Sequence, residues 1–239
     1  MVGKLTDLGN KRALNEDYLD YYENSEYGIY VIADGMGGHN AGEVASKMAV
    51  DGVLKFIKDN YNCINEDKIL LNAVEKVNKE IYRYSLTKEN LEGMGTTLTA
   101  CYIYNNKIFI ANVGDSSCLG INKSNIIKLT KDHSLVQELM DLGTITAEQA
   151  KNHPKKNIIT RAIGTCLDVK VDIYQFNKDE YETFVLSTDG LTNDVSMDEI
   201  LNIINSNSDY DKSCNSLIDL AKLRGGNDNI SVLIFRGEI

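Results

Sequence analysis

Several short runs of the 239-residue chain are apolar and rich in β-branched side chains: GIYVIA (Gly28–Ala33), TLTACYIY (Thr97–Tyr104), KIFIANV (Lys107–Val113), TFVLS (Thr183–Ser187) and ISVLIF (Ile230–Phe235). Runs of that length and branching predict β-strands. Asn105–Asn106 separates the second from the third and predicts a tight hairpin, because asparagine tolerates the positive φ such turns require. The sheet is therefore expected to be at least partly antiparallel. Elsewhere the period lengthens to three and four residues. Ile69, Ala73, Val77, Ile81 and Tyr84 mark one face of a helix over Glu66–Thr87, and Ala45, Met48, Gly52 and Phe56 mark another. Ser196 and Glu199 form a capping box ahead of Ile200, Leu201, Ile203 and Ile204, and a last helix through Cys214, Leu217, Ile218 and Ala221 ends before Gly225. Lys131–Ile163 is the least core-like stretch. Thr146 and Gln149 look like a further helix start inside it, but HPKKN beside them is polar, so it reads as a surface excursion. With no repeat and no proline-rich linker, the pattern predicts one domain over residues 1–239, with helices packed on antiparallel sheets.

Composition narrows the partners. With 25 basic against 35 acidic residues the formal charge is −10, the wrong sign for a phosphate backbone, so nucleic acid is not expected as a partner. The 43% hydrophobic content is that of a globular chain. Five cysteines without a C-x-x-C read as buried reduced thiols of a cytosolic protein, and three histidines are too few for a zinc site. MVGKLTDLGNKRALNED lacks an apolar signal core, and no stretch approaches the roughly twenty apolar residues of a membrane span. A soluble cytoplasmic protein, not inserted in a membrane, is expected; nothing demands more than a monomer.

Candidate chemistry lies at strand ends. Asp34 follows GIYVIA and precedes Gly35; Asp115 follows KIFIANVG; Asp189 follows TFVLST; Asp228, between Asn227 and Asn229, precedes the final strand. Any one of these is an ordinary turn aspartate. Four together point to a cation, since converging buried carboxylates cost several kcal/mol each unless neutralised. An all-oxygen set selects Mg²⁺, Mn²⁺ or Ca²⁺. Gly35, Gly37 and Gly38 give the backbone freedom to turn towards the helix starting near Ala41. The dinucleotide and Walker fingerprints both fail, because Asn40 stands where a third glycine would and no Gly-Lys-Ser/Thr follows.

The segments RALNED (Arg12–Asp17), ADGMGGHNAGE (Ala33–Glu43), GTTLTA (Gly95–Ala100), ANVGDSS (Ala111–Ser117), STDGL (Ser187–Leu191) and GGNDNISVL (Gly225–Leu233) occur in the order of a known family. The chain resembles the metal-dependent serine/threonine protein phosphatases, type 2C, in their compact bacterial form. That resemblance implies an α+β fold, a four-layer αββα sandwich of two antiparallel sheets flanked by helices, with a dimetal centre at one end and a flap over residues 131–163. It implies that Asp34 bridges two Mn²⁺ or Mg²⁺ ions, that the Gly35 carbonyl ligates one, and that Asp189 and Asp228 are further direct ligands. Glu16 and Asp17 match residues holding metal-bound waters, Asn229 steadies the cluster, and Asp115 shares an additional, weaker ion with Asp189. Arg12 matches the arginine that grips the substrate phosphate through its planar fork.

The implied reaction is hydrolysis of phosphoserine or phosphothreonine on proteins by a water that the two ions acidify, without a covalent intermediate. No cysteine has an arginine at the C-x₅-R offset, which argues against a cysteine-based phosphatase. Many eukaryotic members of the family carry a histidine two residues after the bridging aspartate; here that position is Met36, in an MGGH pattern that bacterial members commonly share. His39 is a candidate acid for the leaving group, with a metal-bound water or a positioning role as the alternatives. His133 and His153 read as flap or surface residues, and Thr96 and Thr97 as ordinary strand residues. A serine/threonine kinase and its targets are the implied partners. A catalytically silent phosphoprotein binder and a calcium-stabilised protein stay open as other readings.

Overall fold

The computed structural model describes residues 1–37 and 41–238. The expected positions Gly38 and His39 lie outside the described residues. The chain opens with strands β1 (Val2–Asp7), β2 (Asp17–Glu23) and β3 (Tyr27–Met36), followed by helices α1 (Gly42–Asn60) and α2 (Glu66–Ser85). Strands β4 (Gly95–Thr96), β5 (Leu98–Tyr104), β6 (Lys107–Val113), β7 (Ser117–Asn122) and β8 (Asn125–Lys128) come next. Two short helices, α3 (Leu135–Asp141) and α4 (Ala147–Lys151), precede β9 (Asp172–Asn177) and β10 (Thr183–Ser187). The chain ends with α5 (Asp189–Thr192), α6 (Met197–Ser206), α7 (Tyr210–Arg224) and β11 (Ile230–Arg236).

All the pairings are antiparallel, in two sheets. One runs β1-β11-β10-β7-β8, the other β2-β3-β5-β6-β9 with β4 beside β3. Asn105 and Asn106 both take positive φ (48° and 64°) and close the β5–β6 hairpin as expected. Tyr30, Ile32, Cys101, Ile110, Phe184 and Phe235 fill the space between the sheets. The opposite face of β3, with Ile29, Val31 and Ala33, packs against α1 and α2. A third apolar layer sets Val185, Val232 and Ile234 against α6 and α7. GIYVIA lacks alternation because both faces of β3 are covered. Each such side chain contributes about 1.5–3 kcal/mol by burial.

The structure corrects several sequence expectations. β3 does not stop at its aspartate: Asp34 and Gly35 sit within its last turn of pleat, which ends at Met36. On α1 the buried stripe is Ala45, Ala49, Val53 and Ile57, while Met48, Gly52 and Phe56 lie to one side of it. That side faces α2, where a Cβ on Gly52 would come within 2.7 Å of Val77. A helix wedged between a sheet and another helix carries two apolar stripes, and the sequence pattern picked out the second. Tyr84 is exposed rather than on the buried face of α2. Of the cysteines, Cys101, Cys118 and Cys214 are buried, but Cys63 and Cys166 are exposed, and all are free. Strands β1, β2, β7, β8 and β9 had no apolar run to announce them. Among the described residues no helix is long and apolar enough to cross a membrane.

Candidate functional site

The strand register assembles one end of the sandwich. Asp17, the first residue of β2, pairs with Asp34 on β3. The backbone of Asp34 is held on its far side: its N–H donates to Thr97 Oγ1 (2.9 Å), and its carbonyl accepts from Thr96 Oγ1 (2.8 Å) and Thr97 N–H (2.9 Å). Thr96 and Thr97 are thus the clamp of this aspartate rather than ordinary strand residues. Gly35 N–H donates to the Glu16 carbonyl (3.1 Å). A side chain at Gly35 would place its Cβ 2.2 Å from the Gly42 carbonyl oxygen, so only glycine lets α1 start this close to the strand.

Asp17 is 6% exposed and joins the two sheets. Its Oδ2 accepts from Thr188 Oγ1 (2.9 Å) and Ser231 Oγ (2.7 Å), whereas its Oδ1 is buried without a hydrogen-bond partner. Burial pushes this carboxyl up to about 7 against the opposing pull of those two hydroxyls. Asp189 opens α5; its Oδ2 accepts from Asn193 (3.0 Å) and its Oδ1 is again buried and unpartnered. Burial and the charge of Asp228 raise it to about 6. Asp115, on the turn between β6 and β7, is raised to about 7 by burial, then by Asp189 and Asp132. For Asp34, burial and the charges of Asp17, Asp189, Asp115 and Asp228 drive the carboxyl well above the usual range. These aspartates come from four distant parts of the chain and feel one another's charge.

The N-terminal loop closes the rim. Asn229 donates to the carbonyls of Leu8 and Leu14 (3.0 Å each) and accepts from Glu16 N–H (2.9 Å), so it fixes the loop that carries Arg12 and Glu16. Burial raises the Glu16 carboxyl, which lies against Gly42 at the start of α1. Arg12 Nη2 donates to Asp228 Oδ2 (2.8 Å) while half its side chain stays exposed, and that bond raises its already high pKa.

The donor set suits a hard divalent cation. Asp17 and Asp189 each keep a buried oxygen with no proton donor, a costly arrangement that a cation relieves. The groups present are carboxylates and a backbone carbonyl, the ligands Mg²⁺ and Mn²⁺ take. Among the described residues, no three acidic, histidine or cysteine side chains yet surround a single ion-sized point. The fit therefore rests on donor chemistry and on the orphaned oxygens.

Comparison with known proteins decides the family. A family model described as protein phosphatase 2C matches residues 10–220. The chain belongs to the protein phosphatase 2C family. Within the family it is 40% identical over 238 residues to a protein named serine/threonine phosphatase stp from Listeria monocytogenes, covering 98% of this chain and 94% of that one. It is 36% identical over 236 residues to protein phosphatase PhpP of Streptococcus pneumoniae, covering 98% and 96%. Its fold matches the crystal structure of serine/threonine phosphatase Stp1 from Staphylococcus aureus with a TM-score of 0.91 at 34% identity, covering 98% and 93%. The expected two-sheet sandwich is the fold of this phosphatase family.

Sequence reasoning missed three contributors. Thr188 and Ser231 hold Asp17, and both stand inside the STDGL and GGNDNISVL segments beside the acids Asp189 and Asp228. Asp132 shares with Asp115 and Asp189 a cavity of about 650 Å³ whose lining also includes Lys151 and Lys156. Arg161 donates to Asp172 Oδ1 (2.8 Å) and lines a separate cavity of about 390 Å³ beside Met36. His153 is half-buried on the flap, but His133 is 4% exposed at the flap's root, not a surface residue.

Proposed function

We propose that this chain is a divalent-metal-dependent phosphatase acting on phosphoserine and phosphothreonine in proteins, and that it reverses the action of a serine/threonine kinase. The observation that carries this reading is the set of buried aspartates with unpartnered oxygens, Asp17 and Asp189, whose charges both act on Asp34, together with an exposed arginine held on Asp228. The serine/threonine phosphatase names of the relatives support the substrate class.

Asp34, the Gly35 carbonyl, Asp189 and Asp228 would hold two Mn²⁺ or Mg²⁺ ions, and Asp115 with Asp189 a third, weaker one. Glu16 and Asp17 would hold water at the centre. When bound, such ions acidify water and supply a hydroxide at neutral pH. The chain's own part is to place the phosphate and to neutralise its charge. Arg12 reaches the rim with one nitrogen on Asp228, and its other guanidinium donors are available to non-bridging phosphate oxygens. Thr96 and Thr97 lock Asp34 in place, so the carboxylate meets its partners without reorganising. His39 is the candidate donor of a proton to the departing serine or threonine oxygen. A monomer working in the cytoplasm completes the proposal.

The test is release of phosphate from a phosphothreonine peptide by purified, Mn²⁺-loaded protein. Turnover that is abolished by chelation and by Asp34→Asn is expected. Loaded wild type that does no better than Asp34→Asn would overturn the reading.

A further inference from the structure

We propose that His133 is a positioning residue, which ties the flap's root to the turn that presents Asp115; the proposal rests on the phosphatase reading above. His133 and Gly114 bond reciprocally: His133 N–H donates to the Gly114 carbonyl (2.9 Å), and Gly114 N–H donates to His133 Nδ1 (3.1 Å). Gly114 takes φ +108°, and a Cβ there would lie 2.6 Å from Thr97 Cγ2, so the turn is tight and its amide is fixed by this imidazole. The next residue is Asp115. At the flap's exit, Thr160 N–H donates to the His133 carbonyl (2.8 Å), and Ser134 pairs with Ile159. One residue therefore holds the flap's entry, its exit and the Asp115 turn together.

The ring's tautomer follows from its neighbours. Nδ1 accepts from Gly114, so the proton resides on Nε2, which faces Asp172 Oδ2 at 3.2 Å. Arg161 Nη1 is also near Nε2 (3.0 Å), but two donors cannot bond each other, so its hydrogen goes to Asp172 Oδ1 (2.8 Å). Asp172 thereby fixes the ring from behind and leaves Nδ1 free to accept. A protonated ring would set N–H against the Gly114 N–H, and burial favours the neutral form. Behind the turn, Asn112 donates to the carbonyls of Gly114 (3.3 Å) and Lys131 (3.1 Å) and accepts from Thr99 Oγ1 (2.6 Å), so the anchorage reaches the rigid β5–β6 pair.

Two isosteres separate the roles. Asn at 133 places its Oδ1 where Nδ1 stood and keeps the Gly114 bond; Gln reaches the Nε2 position but leaves Gly114 N–H without an acceptor. His133→Gln is expected to lower kcat on a phosphothreonine peptide by about 10-fold and to weaken the weakest Mn²⁺ site seen by calorimetry by a similar factor, with the peptide KM unchanged. His133→Asn should stay within about 3-fold of wild type in both, and His153→Asn should match wild type. In metal-free wild type, the ¹⁵N resonances of His133 should report a neutral ring protonated on Nε2, and the Gly114 amide should exchange slowly. Equal losses in the Asn and Gln variants, a fully active Gln variant, or an Nδ1–H tautomer would each overturn the proposal. If His133→Gln does not fold, His133→Asn decides it: wild-type Mn²⁺ affinity supports the role and a tenfold loss refutes it. If wild type itself fails to turn over, the phosphatase reading falls, while the tautomer and exchange data still decide the anchorage.

Discussion

The acid-lined end of the sandwich and the flap beside it are built on opposite physical terms. At the acid end the aspartates sit at or just beyond the ends of strands whose ladders are fixed by the neighbouring strands, and the cost of crowding Asp17, Asp34, Asp115 and Asp189 is met by the two-sided core beneath them. In the flap, α3 buries no residue and α4 only Ala150, and Leu142 is 78% exposed. Its helices are short and held by local caps at Ser134 and Thr146. A rigid frame can hold side chains in an unfavourable electrostatic arrangement, whereas a thinly packed segment cannot store such strain. The difference predicts which region carries chemistry and which adapts to what the chemistry acts on.

The largest break in that comparison is Asp34→Asn. Loss on the order of a thousand-fold in kcat is expected, because charge preorganised at the reacting centre is removed. The chelated variant should at the same time melt higher than chelated wild type, since the cost of burying this carboxyl among other acids, which drives it towards its protonated form, disappears. Leu142→Ser in the flap should alter neither quantity. A thermal melt and a phosphopeptide assay on the same preparations settle both; a lower melting temperature for Asp34→Asn would show that the cluster is not strained. Next in size is Arg12→Ala, with loss on the order of a hundred-fold in kcat/KM. Arg12→Lys should recover only part of it, because an ammonium cannot reproduce the fork.

A smaller effect, confined to the acid end, appears in the pH dependence of stability. In the folded, chelated protein Asp17 and Asp115 keep their protons to about 7 and Asp189 to about 6, whereas an unfolded aspartate loses its proton near 3.8. Between those limits the folded state binds more protons, so stability falls as pH rises. Asp7, Asp172 and Glu199 are shifted the other way, by Lys222, by His133 with Arg161, and by Arg224, although burial works against the shift in the first two. Their contribution is gained as pH rises towards the unfolded carboxylate range and is complete by about pH 5. Melting temperature in chelator should therefore decline from pH 5 to 7.5, and saturating Mn²⁺ should remove the decline. A flat profile in chelator would mean that the carboxylates do not crowd one another in solution.

What the sequence disclosed divides along the same line. Strands covered on both faces, such as β3 and β11, are uniform apolar runs, and the acids at their ends stand out against them. β2 escaped notice because DYLDYYE mixes charge and aromatics at a sheet edge, and β9 escaped because only some of its side chains are covered. Asp34, Asp189 and Asp228 were legible as residue types at strand ends. Thr188 and Ser231 were not, because a hydroxyl that holds a buried carboxylate looks in sequence like any strand-end hydroxyl. The burial of His133 within the flap was not legible for a related reason. Its position opens a polar stretch, and only tertiary pairing to Gly114 and Thr160 places it inside.

The finest test sets one motif against itself. Thr146 and Gln149 form a reciprocal cap on α4 in the flap, with Gln149 N–H donating to Thr146 Oγ1 (3.2 Å) and Thr146 N–H donating to Gln149 Oε1 (2.8 Å). Glu199 reaches back in the same way to the Ser196 N–H (3.1 Å) at the start of α6, where Arg224 of α7 also holds it. Each cap is worth about 1 kcal/mol. Ser196→Ala loosens a helix that carries Ile200 and Ile204 in the outer core, so global melting should drop by about 2–4 °C. Thr146→Ala frays a helix that contributes almost nothing to the core. Amide exchange over residues 147–151 should therefore accelerate, while the melting temperature stays put. Equal melting losses in the two variants would mean that the flap folds as one unit with the sandwich, and the contrast between a rigid acid end and an adaptable cover would collapse.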